Sequence, residues 1–341
     1  MSASLSMVGS LVLVAGSAAL TATLIAALKP VLRRYALARP NARSSHSTPT
    51  PQGAGIAIIS IPVLLLVSIW VLGLTSDASW PIALACGLTL LAGTGVFDDI
   101  YSLPVAVRLL VQFLAAAIIV LSLPGDAQIL PLLPAWLEAV GLILGLVWFV
   151  NLTNFMDGID GITVVQMLCV ATGIVLIASV VGTPAINAAV PVALALAGGL
   201  IGFAPYNRHV ASVFMGDVGS LPIGALVGWM LILLAREGYV AAALLLPMYY
   251  LADSTTTLYR RWHRGERLHQ AHRSHFYQLA VQHGFRVPEV TNRIFVLNVA
   301  LILFAILSVE LRSPVVDIAV LCAGAILTAA LLRHFERGRD V

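Results

Sequence analysis

Apolar stretches long enough to cross a lipid bilayer follow one another through almost the whole chain, and nothing else in the sequence constrains the fold as tightly. A bilayer-crossing helix needs roughly 17 to 25 apolar residues. Runs near that length cover residues 5–28, 54–74, 80–97, 105–123, 135–150, 162–181, 186–204, 218–235, 239–257, 294–309 and 314–332, eleven in all. Only 10% of the residues are charged, against roughly 25% in a soluble domain. Backbone groups in lipid must be satisfied within their own segment. The expected fold is therefore all-α, a polytopic membrane bundle of about eleven transmembrane helices. The longest polar stretch, residues 258–293, is too short for a core of its own, so residues 1–341 read as one membrane domain.

The basic residues set an orientation. No Lys or Arg precedes the first apolar run, and the first base is Lys29, so the charged lead of a cleavable signal is missing and the run reads as a permanent helix. Placing the N-terminus outside and alternating the spans puts every Lys and Arg except Arg236 and Arg312 on one side. That side is expected to be cytoplasmic, with the C-terminus on it. A net charge of +3 gives no reason to expect nucleic acid. Cys86, Cys169 and Cys322 are odd in number and lie in apolar runs, which excludes a disulfide framework.

Polar side chains interrupt this pattern in a few places. Charged groups at membrane depth cost from a few to more than ten kcal/mol and persist mainly where they line a wet cavity. The densest cluster, Asn151-Leu-Thr-Asn-Phe-Met-Asp-Gly-Ile-Asp160, follows the fifth run. If the helix continues, Asn151, Asn154 and Asp157 share one face and Asp160 extends the row. Asp98 and Asp99 end the third run, Asp217 lies between Gly216 and Gly219, and Ser220 opens the next helix. Oxygen ligands of this kind suit Mg²⁺ or Mn²⁺ and argue against zinc. The segment Arg43-Ser-Ser-His46 through Gly55 reads either as a basic turn or as a loop whose Arg43 or His46 touches a phosphate. Pro49 and Pro51 hold it extended, while Gly53 and Gly55 allow close backbone approach. His272, Arg273 and His275 are three donors in four residues, suited to a diphosphate. Asp253 is either a ligand or a hydrogen-bonded packing residue, and His209 reads as a solvated surface histidine.

Four blocks in order, Phe97-Asp-Asp99, Asn151 to Gly161, Phe214-Met-Gly-Asp-Val-Gly-Ser220 and His272-Arg-Ser-His-Phe-Tyr-Gln278, resemble those of the polyprenyl-phosphate N-acetylhexosamine-1-phosphate transferases of glycosyltransferase family 4. The likeness spans about residues 43–278 and is nearest to the O-antigen initiators, because the first loop lacks the Lys-rich lead of the peptidoglycan branch. The resemblance implies transfer of a sugar-1-phosphate from a UDP-N-acetylhexosamine to undecaprenyl phosphate, with release of UMP, at the cytoplasmic face of a bacterial inner membrane. It implies that Asn154 and Asp217 hold Mg²⁺, with Asp157 and Asp160 in the same nest. Asp98 would deprotonate or position the lipid phosphate beside Asp99. Asn207 and Phe214 would hold and stack the uracil, and His272, Arg273 and His275 the phosphates. A homodimer is compatible with this reading. The rival reading is a transporter or lipid flippase, whose polar groups collect near the bilayer midplane rather than at one face.

Overall fold

A computed structural model describes residues 6–38, 49–75, 77, 79–125, 127–267 and 272–339. Arg43 and His46 lie outside the described residues. The described chain is helical apart from one two-residue ribbon, in which β1 (Leu37–Ala38) pairs antiparallel with β2 (Thr50–Pro51). The helices are α1 (Met7–Tyr35), α2 (Gly55–Val71), α3 (Ser79–Tyr101), α4 (Val105–Leu121), α5 (Ala135–Met156), α6 (Ile162–Val181), α7 (Pro184–Asn207), α8 (Asp217–Arg236), α9 (Val240–Leu245), α10 (Met248–His263), α11 (Phe276–Gln282), α12 (Val287–Leu311) and α13 (Pro314–Arg337). Eight of them are long and apolar enough to span a bilayer, and α2 and α4 are shorter apolar helices. The chain is thus a multi-pass membrane bundle.

The ninth expected run departs from a single span. Residues 239–257 break between α9 and α10 at Leu246-Pro247, because proline has no N–H to continue the ladder. Gln166 of α6 donates its amide to the Leu246 carbonyl at 3.3 Å at this interruption. Inside a membrane such a substitute partner is what makes a broken helix tolerable. Beyond the break α10 buries Tyr249, Tyr250, Asp253, Ser254, Thr257 and Arg261 along one side.

Helix α8 is the axis of the bundle. Its most apolar window is 100% buried, against 17% for α1 and 22% for α13, so α8 is enclosed by protein while α1 and α13 form the rim that lipid covers. Small residues bring its neighbours in. A Cβ on Gly55 would lie 2.2 Å from the Gly219 Cα, and one on Gly95 would lie 2.3 Å from the Val218 nitrogen. Without a hydrophobic force between helices in lipid, backbone contact of this kind supplies the packing. The close approach expected of Gly55 is therefore realised, against the first turn of α8.

The same corner is stitched by main-chain bonds. Phe214 N–H donates to the Pro51 carbonyl at 2.7 Å, and Gly55 N–H donates to Met215 at 2.9 Å. Gln52 also forms a parallel bridge with Phe214. The extended segment after Pro49 thereby fixes where α8 begins.

Two helix ends differ from the sequence reading. Helix α5 stops at Met156, so Asp157 and Asp160 do not extend the Asn151 face; they sit in a turn that Gly161 closes at φ +80°. Helix α8 starts at Asp217, ahead of Ser220, after Gly216 at φ +76°.

Candidate active site

Asp99 of α3 aims both carboxylate oxygens at the start of α8, accepting N–H from Asp217 at 3.1 Å and from Val218 at 3.3 Å. The first N–H groups of a helix have no intrahelical acceptor, and a carboxylate there also meets the positive end of the helix dipole. Gly216 is required for this contact, since a Cβ there would stand 2.5 Å from Asp99 Oδ2. Gln52 adds a bond from its amide to the Asp99 carbonyl at 3.1 Å.

The side chain of Asp217 then faces Asn154 and Asp98. Asn154 Nδ2 donates to Asp217 Oδ1 at 2.7 Å and to Ser220 Oγ at 2.9 Å, and Asp98 lies within hydrogen-bonding reach of Asp217. Asp98 is itself held on both oxygens, by Leu103 N–H at 2.6 Å and by Arg108 at 2.8 Å. Asp98, Asp99, Asn154 and Asp217, drawn from α3, α5 and α8, form one cluster at one end of the bundle.

A second layer lies in the turn after α5. Asp157 Oδ1 accepts the Thr163 hydroxyl at 2.6 Å. Burial pushes its carboxyl up to about 6; the Thr163 hydrogen bond opposes this and repulsion from Asp160 adds to it. Asp160 accepts the Ala211 N–H at 3.1 Å and meets His209 Nδ1 at 2.8 Å. His209 is thus a partner of an acidic residue, not a solvated bystander. Asn207 is 8% exposed, and its Oδ1 accepts the Gly161 N–H at 2.8 Å, so its side chain ties two loops together. Asn151 turns away, donating to Gln112 of α4 at 2.6 Å. Phe214 is half-buried beside β2.

The histidine segment docks on the end of α5. Tyr277 donates its hydroxyl to the Phe155 carbonyl at 2.9 Å. His275 is 2% exposed, and His272 stacks on it with ring centroids 4.9 Å apart. His272 and Arg273 are the more open members. A cavity of about 990 Å³, lined by His209, Arg273, Gln278, Arg286, Asn292 and Arg293 among others, opens alongside. On the apolar side, a groove of about 270 Å³ runs between α5, α8 and the α9–α10 break, lined by Gly141, Gly145, Phe149, Gly228, Leu231 and Pro247 among others.

The sequence reading overlooked Arg108, Gln52 and His209. Arg108 carried one available signal, as a lone base at the start of an apolar run. These groups sit at helix ends: Asp98 and Asp99 in the last turn of α3, Asn154 in the last turn of α5 and Asp217 as the first residue of α8. That arrangement suits chemistry at a membrane face better than a midplane transport site.

Known proteins share sequence with the same part of the chain. Residues 81–235 match glycosyl transferase family 4, a stretch containing Asp98, Asp99, Asn154, Asp157 and Asp217. The chain is similar to a probable undecaprenyl-phosphate N-acetylglucosaminyl 1-phosphate transferase of Bacillus subtilis, 25% identical over 85% of this chain and 82% of the relative. It is similar to the decaprenyl-phosphate N-acetylglucosaminephosphotransferase of Mycobacterium tuberculosis, 28% identical over 90% of this chain and 84% of the relative. A shorter likeness, 40% identical over 30% of this chain and 31% of the relative, joins it to the phospho-N-acetylmuramoyl-pentapeptide-transferase of Moorella thermoacetica. The helical core from residue 81 to 235, which carries Asp98, Asp99, Asn154 and Asp217, is thus similar to glycosyl transferase family 4.

Proposed function

We propose that this protein transfers an N-acetylhexosamine-1-phosphate from a UDP-sugar to undecaprenyl phosphate, releasing UMP and making the first lipid-linked intermediate of a cell-surface polysaccharide such as O-antigen. The observation that carries the reading is the convergence of Asp99 and Asp217, 118 residues apart, on the start of one helix. There they form an acidic cluster with Asp98 and Asn154, in a bundle that also carries a basic cavity and an apolar groove. The basic cavity suits a charged nucleotide sugar. The groove, lined by Gly141, Gly145 and Phe149 of α5 and by Gly228 and Leu231 of α8, matches a polyprenyl tail in its apolar chemistry.

The donor set fits a divalent cation. It consists of carboxylate and amide oxygens alone, the preference of Mg²⁺ or Mn²⁺. Among the described residues no three Asp, Glu, His or Cys side chains form a closed cage, and Mg²⁺ commonly binds through one or two carboxylates plus substrate phosphates. Asp217 and Asn154 would hold it, with Asp98 and Asp99 adjoining. When bound, it would neutralise the diphosphate and the charge growing on UMP.

The chemistry is in-line displacement. An oxygen of the lipid phosphate attacks the sugar-bearing phosphorus, the bridging P–O bond breaks, and the electron pair leaves with UMP. Catalysis of this kind rests on alignment and charge neutralisation. Asp98, engaged on both oxygens, is set to orient the acceptor phosphate through Arg108 rather than to take its proton. Asp99 holds Asp217 in place through the α8 backbone. His272 and Arg273 close over the donor phosphates, with Asp157 and Asp160 shaping the turn beneath. The site lies on the cytoplasmic face of the bacterial inner membrane, where UDP-sugars are made.

Purified protein is to be incubated with undecaprenyl phosphate and a panel of UDP-N-acetylhexosamines, with UMP release and the lipid product followed with and without EDTA. Metal-dependent UMP release with a sugar-diphospholipid product supports the function. Absence of lipid product with every donor removes it.

A further inference from the structure

Asp253 is 0% exposed, lies on α10, and accepts hydrogen bonds from five groups. Its Oδ1 faces Phe276 N–H at 3.1 Å, His275 Nδ1 at 3.0 Å and the Thr257 hydroxyl at 3.3 Å. Its Oδ2 faces Tyr277 N–H and the Tyr249 hydroxyl, both at 3.2 Å. A carboxylate surrounded by main-chain N–H and hydroxyl donors acts as an acceptor throughout, so His275 Nδ1 carries the proton in this pair. A buried charge left without such partners would be costly, and here each oxygen is satisfied.

His275 is consequently fixed on every side. Its Nδ1 is taken by Asp253, and its ring lies between Phe155 at 6.5 Å and His272 at 4.9 Å, with Tyr277 at 5.7 Å. With 2% of its surface exposed, it has little left to offer a phosphate. His272 lies outermost in this stack, with Arg273 next to it in the chain.

We propose that Asp253 and His275 are positioning residues: the carboxylate on α10 locks the His275 ring into a strut that sets His272 and Arg273 over the pocket formed by Asp98, Asn154 and Asp217. This rests on the transferase reading above and takes His275 out of direct phosphate contact. Partners that orient a ligating side chain from behind it are typically worth about 10- to 100-fold, and a strut behind His272 and Arg273 is expected on that scale.

The test is a double-mutant cycle on the purified full-length protein, using UDP-N-acetylglucosamine or whichever donor the panel identifies, with melting temperatures recorded in parallel. Asp253→Asn and His275→Gln are each expected to lower kcat/KM about 10- to 100-fold. Because one acts through the other, Asp253→Asn/His275→Gln should fall no further than the weaker single variant. His272→Ala added to either should likewise produce little extra loss. If the losses from Asp253→Asn and His275→Gln multiply, the two act independently and the proposal is overturned. A His275→Gln enzyme with wild-type kcat/KM overturns it as well. Should Asp253→Asn fail to fold, Tyr249→Phe and Thr257→Val each withdraw one donor from the same carboxylate. The proposal expects each to lower kcat in the His275 enzyme and to have no effect in His275→Gln; equal effects in both backgrounds overturn it. A wild-type protein without transfer activity would sink the functional reading instead, whereas an active wild type with additive variants sinks only this inference.

Discussion

The two ends of α8 satisfy their surroundings in opposite ways. At its C-terminal end Arg236 gives its guanidinium to the carbonyls of Pro124, Gly125 and Ala127 at 3.2, 2.8 and 2.5 Å. Nearby Glu138 accepts the N–H groups of Ile129 and Leu130 at 3.1 and 2.8 Å. Donors and acceptors there are matched within one loop. At the N-terminal end Asp98, Asp99, Asp157 and Asp217 gather, and among the described residues the cation paired with any of them is Arg108. A matched end stabilises the fold. An end with surplus negative charge is costly unless something positive or proton-bearing joins it, which is why the proposed function puts the cation and the donor phosphates there.

The sharpest way to break this contrast is Asp217→Ala. Turnover should fall by about a thousandfold or more, the scale of losing a central electrostatic group, while the melting temperature stays near wild type; near-normal UMP release would remove Asp217 from the site. Next is Gly95→Val, which drives a side chain into the α8 backbone. Overpacking of this kind costs typically 1–3 kcal/mol, and it should lower both melting temperature and activity. A variant normal in both would show that α3 and α8 do not meet as described.

Arg108→Ala should be milder in stability and selective in kinetics. It removes the charged partner of Asp98 and should raise the KM for polyprenyl phosphate by about tenfold with the donor KM unchanged, equivalent to about 1.4 kcal/mol. An equal rise for both substrates would place Arg108 elsewhere. Arg236→Gln should do the reverse of Asp217→Ala: it should destabilise by about 1–3 kcal/mol through orphaned carbonyls and leave kcat/KM intact. A loss of kcat without a loss of stability would erase the distinction between the two ends.

The smallest effect concerns pH. The Asp157 carboxyl is raised to about 6 by burial, so its protonated form is favoured in the fold. Its contribution to stability is full below the ordinary carboxylate range and is lost as pH rises through about 6. Asp157→Asn should therefore match wild type at pH 4 and be more stable at pH 7, by about 3 kcal/mol at most. A difference that does not change with pH would mean that Asp157 is ionised throughout.

Much of this was legible in the chain. The spans follow from apolar run length, and the pocket from finding Asp98, Asn154 and Asp217 at the ends of such runs, where lipid gives acids no other reason to be. Run length could not show that residues 239–257 break, because the single signal, Pro247, is compatible with a kinked continuous helix. Nor could it show where α5 ends, since Asn, Met and Asp fit either state and the turn depends on Tyr277 packing over Gly158. Asp253 was ambiguous for a related reason: Tyr249 and Thr257 flank it on its own helix, but its other three partners are 22 to 24 residues away, beyond any local pattern.

The contact between Gly55 and Gly219 leaves no room for so much as a methyl group. Two chain segments that meet main chain to main chain act as a rivet, and the helix carrying Asp217 is pinned by it. Any movement of the site is left to segments outside this contact, with the acidic cluster serving as the stationary anvil.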